Sequence, residues 1–209
     1  MSDFPAYAPE EDLLAAVRSD SRHRVRVFAP QGVAVVLGRG SRPERELHLD
    51  AVRDDRVPIV RRRGGGCAVV LDPGNVVVSV VLAMPGVGGI SGAYDSIAAW
   101  LIDALARVGV HDVRREGVSD LVLGDRKVGG SCIYRTLGLL HYGCTLLVDP
   151  DPDLVDRYLK HPPREPAYRA GREHREFLGK MVGAGAVTDA AALASLLAGL
   201  PPPHVPQRL

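Results

Sequence analysis

The sequence contains few of the residues that mark several common classes of protein. Only 3 of its 209 residues are cysteine, and this odd number at unrelated spacings is typical of a reducing compartment rather than of a disulfide framework. No Cys-x-x-Cys or His-x-x-x-His pair indicates a structural metal site. Aromatic residues make up 5% of the chain, which argues against a surface that stacks nucleic-acid bases.

Charge of one sign and long apolar runs are also lacking. The formal net charge is +1, so no global field favours nucleic acid or an anionic membrane as a partner. The longest apolar stretches, such as residues 75–84, are too short to span a bilayer, and the acidic N-terminus lacks the basic region of a signal peptide. We therefore expect a cytoplasmic protein whose basic site, if it has one, is local.

The residues that are present suit one large domain. Hydrophobic residues make up 46% of the chain, enough for a sizeable core. Hydrophobic periodicity predicts helices at 10–19, 91–108, 151–159 and 188–197. Short β-rich runs are expected at 25–28, 34–37, 57–60, in two parts of 67–83 separated by a hairpin turn at 72–75, at 120–123 and 126–128, and at 139–140 and 145–148 on either side of a break.

Hairpins mixed with segregated helices predict an α+β domain around mixed or antiparallel sheets with flanking helices. Residues 164–180 are polar and basic and carry no assignable pattern. The tail from residue 201, PPPHVPQRL, is expected to be extended or frayed.

The stretch RRRGGGCAVVLDPGN, residues 61–75, places three arginines against three glycines. Glycine lets backbone N–H groups approach a ligand closely, and successive N–H groups form a concavity for anionic oxygens. Arginine adds bidentate contacts to phosphate or carboxylate. Because the spacing fits neither the Walker loop nor the dinucleotide fingerprint, a flexible turn with solvated arginines is the alternative. The apolar strand that follows favours a loop held at a sheet edge.

Lys127 lies in SDLVLGDRKVGGSCIYR, residues 119–135, after the Gly124-Asp125 turn and before small residues. A lysine in this setting can point into a pocket as a compact cation, and a surface strand lysine is the alternative. Asp120 and Asp125 are candidate metal or nucleotide ligands, although the tight turn itself favours an aspartate at 125.

These two stretches, with LHYG at residues 140–143, resemble the catalytic domain of lipoate–protein ligases in the biotin/lipoyl ligase superfamily. The likeness runs from about Val25 to Leu159. It implies a class II synthetase/biotin-ligase-like α+β catalytic domain. It also implies that ATP and Mg²⁺ convert lipoate, or octanoate, to an acyl-adenylate, and that the acyl group then passes to a lysine of a lipoyl carrier protein.

The resemblance also assigns residues. Lys127 matches the lysine that contacts both the acyl carboxyl and the phosphate, and Asp120 matches the aspartate near the ATP phosphates and Mg²⁺. Arg62 and the segment 67–70 match a stretch that contacts nucleotide and lipoate. The residues expected to bind ATP and lipoate are Arg62, Gly64, Gly65, Gly66, Cys67, Ala68, Val69, Val70, Asn75, Asp120 and Lys127, with Lys127 catalytic and Asp120 as the metal ligand.

The chain departs from the family pattern in several places. Leu71 stands where a histidine is common, Ser119 replaces an asparagine, and Gly64 stands where a serine is usual. No accessory domain is recognisable, so residues 1–209 are expected to form a single catalytic domain with an atypical extension at 160–209. A separate polypeptide could supply the accessory function.

Two other functions stay open. A related octanoyl or lipoyl transferase would need an activated cysteine nucleophile, yet Cys67, Cys132 and Cys144 are more simply small apolar strand residues. Cys132 is the one that could approach the acyl carbon. A non-catalytic relative that binds the lipoyl group or the nucleotide is the third possibility.

Two further features can be functional or structural. His141 could orient a substrate, but a hydrogen-bonded structural histidine is the simpler interpretation. Arg169, Arg172 and Arg175 could meet an acidic carrier domain, whereas a solvated basic face is the default. If they bind the carrier, their reversal to glutamate weakens carrier modification and leaves adenylate formation intact.

Overall fold

The computed structural model describes residues 4–86 and 88–205. Its strands are β1 Ala6–Tyr7, β2 Arg24–Phe28, β3 Ala34–Leu37, β4 Ile59–Arg62, β5 Val69–Leu71, β6 Asn75–Ala83, β7 Val113–Glu116, β8 Asp120–Leu123, β9 Arg126–Thr136 and β10 Leu139–Leu147. Its helices are α1 Glu11–Asp20, α2 Pro43–Glu46, α3 Leu49–Asp54, α4 Ile90–Arg107, α5 Pro152–Tyr158, α6 His174–Phe177 and α7 Ala190–Ala198, with a 3-10 turn at Ala167–Arg169. None of the helices in these two ranges is long and apolar enough to cross a membrane.

The strands form two sheets. The larger has the order β2-β6-β10-β9-β8-β7 and is antiparallel throughout. The smaller has the order β1-β4-β3-β5; its pairs with β4 are parallel, whereas β3 and β5 are antiparallel. The predicted α+β architecture, with mixed and antiparallel sheets and flanking helices, is confirmed.

Alternation along β6 explains the layers. Val76, Val78 and other even-numbered residues pack in the main core with α4 and α7. Val77 points the other way and packs with Val36 and Leu71 of the smaller sheet. The central strand is therefore buried on both faces, which explains its continuous apolar sequence. The second face, toward the smaller sheet and α1, carries the candidate site.

The Asp-Pro-Gly-Asn turn at 72–75 is correctly predicted as a turn but wrong as a hairpin. Asp72 Oδ1 accepts a hydrogen bond from Gly74 N at 2.6 Å, as turn chemistry requires. However, β5 pairs with β3, and both edges of β6 are occupied by β2 and β10. The turn therefore carries the chain from one sheet to the other. The second predicted hairpin, β8–β9, is confirmed.

The predicted break at Tyr142-Gly143 is also wrong. β10 is continuous, because Gly143 pairs with Ser79 on one side and Cys132 on the other, and pairing on both edges overrides the weak strand propensity of glycine. The tail is ordered as far as it is described: Trp100 Nε1 donates to Pro201 O at 3.1 Å. The part of the predicted frayed tail at 206–209 lies outside the described residues.

Candidate active site

Asp120 and Lys127 form an ion pair across the β8–β9 hairpin. Lys127 Nζ lies 2.8 Å from Asp120 Oδ1, and the two side chains are 26% and 8% exposed. A pair shielded to this extent is less screened by solvent than a surface pair. The structure therefore brings together two residues that the sequence analysis assigned to one site.

A β-bulge and a glycine set this geometry. Leu121 pairs with Gly129 and Val122 with Lys127, so β9 carries one extra residue between them. Such a bulge redirects the neighbouring side chain. Gly130 lies opposite the aspartate, and a Cβ at this position would lie 3.0 Å from Lys127 Cε and Nζ. The bare backbone therefore leaves the space that the lysine side chain fills.

Tyr168, in the 3-10 turn, completes the surroundings of Asp120. Its hydroxyl donates to Asp120 Oδ2 at 2.8 Å. Burial, together with this bond to a carboxylate, raises the pKa of Tyr168, so the phenol acts as a protonated donor at neutral pH. One carboxylate oxygen thus binds an ammonium group and the other binds a phenol, which fixes the orientation of the carboxylate.

The glycine-rich loop, residues 64–66, connects β4 to β5. Arg62 Nη2 donates to Gly65 O and to Cys67 O, both at 2.8 Å, so the guanidinium holds the loop from inside. Gly66 has φ +93°, a conformation that favours glycine. Arg62 contacts backbone carbonyls here, and its predicted contact with nucleotide stays a prediction. Gly65 is exposed, and its amide donates no hydrogen bond to the described chain.

A buried carboxylate holds the same loop from the other side. Glu46, at the end of α2, is 6% exposed. It accepts hydrogen bonds from Ala68 N at 2.6 Å, from Ser41 Oγ at 2.9 Å and from Arg42 N at 3.1 Å. These donors offset the cost of burying a carboxylate. Glu46 thereby joins α2 to the segment that leaves the loop.

The loop and Lys127 lie on the same side of the larger sheet. Gly64 packs directly on Cys132, because a Cβ at 64 would lie 2.5 Å from Cys132 Sγ. Cys132 follows Gly130 by two residues on the same face of β9, which is about 7 Å along the strand. The loop therefore lies about two strand positions from the space filled by the lysine side chain. A loop and a lysine on opposite faces of the sheet could not have formed one site.

The remaining predicted site residues lie at different distances from this centre. The segment 67–70 leads from the loop into β5, and Cys67 Sγ donates to Arg164 O at 3.7 Å. Asn75 is fully buried, and its Nδ2 donates to Asp72 Oδ1 at 3.4 Å. The structure therefore places Asn75 within the turn between the sheets and does not bring its amide to the ion pair.

Burial keeps the neighbouring thiols and imidazole neutral. It raises the pKa of Cys132 and raises that of Cys144 to about 12, so neither thiol is activated as a nucleophile. Burial also lowers the pKa of His141 to about 4, and its Nε2 forms a 2.8 Å hydrogen bond with Ser79 Oγ. These positions agree with the structural interpretations of the cysteines and the histidine.

The solvated basic face expected around residue 169 is wrong. Arg169 is 4% exposed, and its guanidinium lies 4.7 Å from the centre of the Phe177 ring. Arg172 Nη1 donates to Asp125 O at 3.1 Å, and Arg175 forms ion pairs with two aspartates of α5. Each of these three guanidinium groups has a partner within the chain, and their contact with a carrier domain stays a prediction.

Sequence reasoning missed Tyr168 and Glu46. Tyr168 reaches a partner 48 residues earlier, and no local pattern in the unassigned segment indicates that contact. Glu46 ends a helix too short to show periodicity. No local signal identifies it, because its partners include Ala68 N, 22 residues further along the chain.

Comparisons with known proteins show the family to which the chain belongs. The family model described as the lipoyl protein ligase A/B catalytic domain matches residues 4–180. A lipoate-protein ligase A from Psychrobacter cryohalolentis is 33% identical over 131 residues, which are 61% of this chain and 36% of that protein. The chain spans between 36% and 46% of the length of the curated relatives it matches.

Solved structures share the fold. A bi-partite lipoate protein ligase from Thermoplasma acidophilum, described together with its E2 lipoyl domain, has a TM-score of 0.73 at 22% identity, covering 88% of this chain and 73% of that one. A lipoate-protein ligase A bound with ATP has a TM-score of 0.68 at 23% identity, covering 81% and 69%. The likeness confirms the predicted fold class.

Proposed function

The chain belongs to the family of lipoyl protein ligase A/B catalytic domains, and from this membership we propose that it joins lipoate, or octanoate, to a lysine of a lipoyl carrier protein through an acyl-adenylate made from ATP. The observation that carries the proposal is the position of Lys127. Its ammonium group is held by Asp120 at 2.8 Å on the side of the sheet that also carries the glycine-rich loop.

The first half-reaction brings two anions together. A carboxylate oxygen of the acid attacks the α-phosphorus of ATP and an oxygen–phosphorus bond forms. The bond from the α-phosphorus to the oxygen that bridges the α- and β-phosphates breaks, and pyrophosphate leaves. In this proposal Lys127 binds both the carboxylate and the α-phosphate, and the amides of Gly65 and Gly66 donate to anionic oxygens. Fixed donors of this kind offset the repulsion between the reactants without reorganising.

The second half-reaction uses the same cation. The uncharged amine of the carrier lysine attacks the acyl carbon and an amide bond forms. The bond from the acyl carbon to the phosphate-bridging oxygen breaks, AMP leaves with that oxygen, and the proton lost by the amine passes to solvent. Negative charge develops on the acyl oxygen in this step, and in this proposal Lys127 donates a hydrogen bond to it. Asp120 and Tyr168 are positioning residues, because they hold the lysine and do not themselves touch the reacting atoms in this scheme.

Asp120 also fits the proposed Mg²⁺. In nucleotide sites Mg²⁺ is held by one or two carboxylates together with phosphate oxygens, so this one carboxylate with ATP is a sufficient donor set. Bound Mg²⁺ would supply positive charge that offsets the charge of the phosphates. Asp120 would hold the ion through its carboxylate, whose Oδ2 accepts a hydrogen bond from the Tyr168 hydroxyl.

Release of pyrophosphate from lipoate, ATP and Mg²⁺ tests the function directly. We expect Lys127→Ala to lower this rate by about 100-fold or more, while its circular dichroism spectrum stays that of the folded protein. Lys180→Ala is the matched control, because Lys180 is an exposed lysine whose Nζ lies 3.1 Å from Asp149 Oδ1. A normal rate in Lys127→Ala would contradict the assignment.

The same assay separates the other two functions. A transferase would act without ATP and would carry an acyl group on a cysteine, visible by mass spectrometry, whereas a binding protein would show neither activity. The acceptor is tested by the mass of an unmodified lipoyl domain after incubation. An accessory polypeptide is required if the chain forms adenylate alone but modifies the lipoyl domain only with a second subunit present.

A further inference from the structure

Four arginines near the glycine-rich loop have guanidinium groups without a partner in the described part of the chain. All four are exposed, and across residues 4–86 and 88–205 none of their guanidinium groups forms an ion pair or hydrogen bond. We call this set the basic rim. Its members are Arg39, Arg42, Arg45 and Arg164.

Backbone contacts place the basic rim around the loop. Arg39 N donates to the carbonyl of Gly64 at 2.9 Å, so it adjoins the first glycine. Arg164 O accepts from Cys67 Sγ at 3.7 Å, just after the last glycine. The other two members lie at α2, which the Glu46 carboxylate joins to Ala68 N at 2.6 Å. Two separate segments of the chain, residues 39–45 and the segment that carries Arg164, therefore bring arginines to the edge of the loop.

Most other arginines in the described ranges are neutralised locally. Arg157 pairs with Asp55, Arg26 pairs with Asp12, and Arg175 pairs with two aspartates. The whole chain has a net charge of only +1. Arg18, Arg22 and Arg56 also lack a side-chain partner in the described ranges, but only the four arginines of the rim adjoin the glycine-rich loop, where a charged partner would meet them before reaching Lys127.

A protein that brings a lysine to this loop has an electrostatic problem. The acceptor lysine is a cation at neutral pH, and both the basic rim and Lys127 repel it. Acidic residues beside the lysine on the partner reverse the sign of the interaction, steer the encounter and orient the partner.

We propose that the basic rim is the docking surface for an acidic protein face that presents the acceptor lysine, and this inference rests on the function proposed above. The partner is a carrier domain with aspartates or glutamates next to its modified lysine. The rim acts on association, so it governs the KM for the carrier and leaves the formation of adenylate unchanged.

The test is the double variant Arg42→Glu/Arg45→Glu with an unmodified, acidic E2 lipoyl domain. At low salt we expect its KM for the lipoyl domain to rise about tenfold or more, with unchanged pyrophosphate release when no carrier is present. The difference should largely disappear near about 1 M salt, where the screening length falls to about 3 Å. The matched control is Arg18→Glu/Arg22→Glu, two exposed arginines at the end of α1 and after it.

Three other outcomes would overturn the proposal. Equal loss of pyrophosphate release and carrier modification would assign the rim to the nucleotide site and overturn the proposal, as would an unchanged KM or an equal effect in the Arg18/Arg22 control. A lipoyl domain with its acidic residues changed to lysine should be modified better by the rim variant than by the native chain.

Failure of the proposed function itself is recognised separately, because the native chain would then release no pyrophosphate. In that case direct binding of the same lipoyl domain, followed by fluorescence anisotropy, judges the rim alone. Salt-sensitive binding that Arg42→Glu/Arg45→Glu abolishes would support it. Absent binding, or equal binding by the variant, would overturn it.

Discussion

Lys127 and His141 lie on the same face of the larger sheet, yet only one of them can offer a fixed positive charge. Lys127 is 26% exposed and faces a carboxylate at 2.8 Å. His141 is 6% exposed, and its hydrogen-bond partner is a neutral hydroxyl. Because burial penalises the charged form of an unpaired group, the imidazole is neutral at pH 7. The lysine is the group suited to bridge two anions.

The lowered pKa of His141 predicts a loss of stability as the pH falls from 6.5 toward 4. The folded pKa is about 4 against an ordinary value of 6.5, so in this window the unfolded chain binds more protons and stability rises with pH. The full shift corresponds to about 3 kcal/mol. Urea unfolding across this range should show a flatter dependence for His141→Gln.

The control for that experiment is His111→Gln, since His111 is exposed and its replacement should leave the slope unchanged. Burial lowers the pKa of His174 as well, so the slope of His141→Gln is reduced and not abolished. An unaltered slope in His141→Gln would show that this histidine does not titrate as the structure indicates.

Single residues were predictable where local chemistry decides their position. Lys127 and Asp120 flank a Gly-Asp turn, which predicts that they lie on neighbouring strands, although the bulge in β9 that turns the lysine toward Asp120 was not predictable. Arg169 and Tyr168 were not predictable, because their burial depends on Phe177 and Asp120, which pack against them from other elements. In an irregular segment, the sequence does not show whether a basic or aromatic side chain is exposed or buried.

At the scale of elements, α2 is too short to be stable by itself, and the hydrogen bonds of Glu46 connect it to the rest of the fold. Glu46 Oε2 accepts from Ala68 N and Ser41 Oγ, while Oε1 accepts from Arg42 N. Four residues of helix thus fix the path of the chain after the glycine-rich loop. The loop is flexible in composition but held on one side by Arg62 and on the other by this carboxylate.

Glu46→Gln should therefore loosen the loop. An amide has one acceptor oxygen, so its NH₂ group would face a backbone or hydroxyl donor, and an unsatisfied buried group costs about 1–3 kcal/mol. We expect lower stability in urea unfolding and a higher KM for ATP in pyrophosphate release. Glu44→Gln is the matched control, because Glu44 is exposed on the same helix. Equal behaviour of the two variants would refute the role of Glu46.

Turns and strands show where sequence reasoning ends at this scale. The residues of the 72–75 turn were sufficient to predict a turn, but not that β5 and β6 belong to different sheets. β10 was expected to break at Gly143, although hydrogen bonds on both edges keep it straight through that position. Local composition determines the conformation of a few residues, whereas the pairing partner is determined by the whole chain.

At the scale of the whole molecule, the candidate site lies between the larger sheet and a segment that sequence left unassigned. The family model matches residues as far as 180, and the atypical extension expected at 160–209 stays a prediction. The fold class was predictable from alternating hairpins and helices. The course of residues 160–180 was not, because its contacts join positions far apart in sequence.

Residues 160–180 should respond to ligand together with the glycine-rich loop. Arg164 O contacts Cys67 on the loop side, and Tyr168 contacts Asp120 on the lysine side, so the segment spans both halves of the proposed site. A ligand that binds the closed site lowers the population of its open states, and therefore also the opening of any segment that must open together with the site. Hydrogen exchange with a lipoyl-adenylate analogue should therefore slow in peptides covering 64–68 and 164–172, and α1 should not change. Slower exchange in the loop alone would show that the segment opens independently and that Tyr168 does not couple the two.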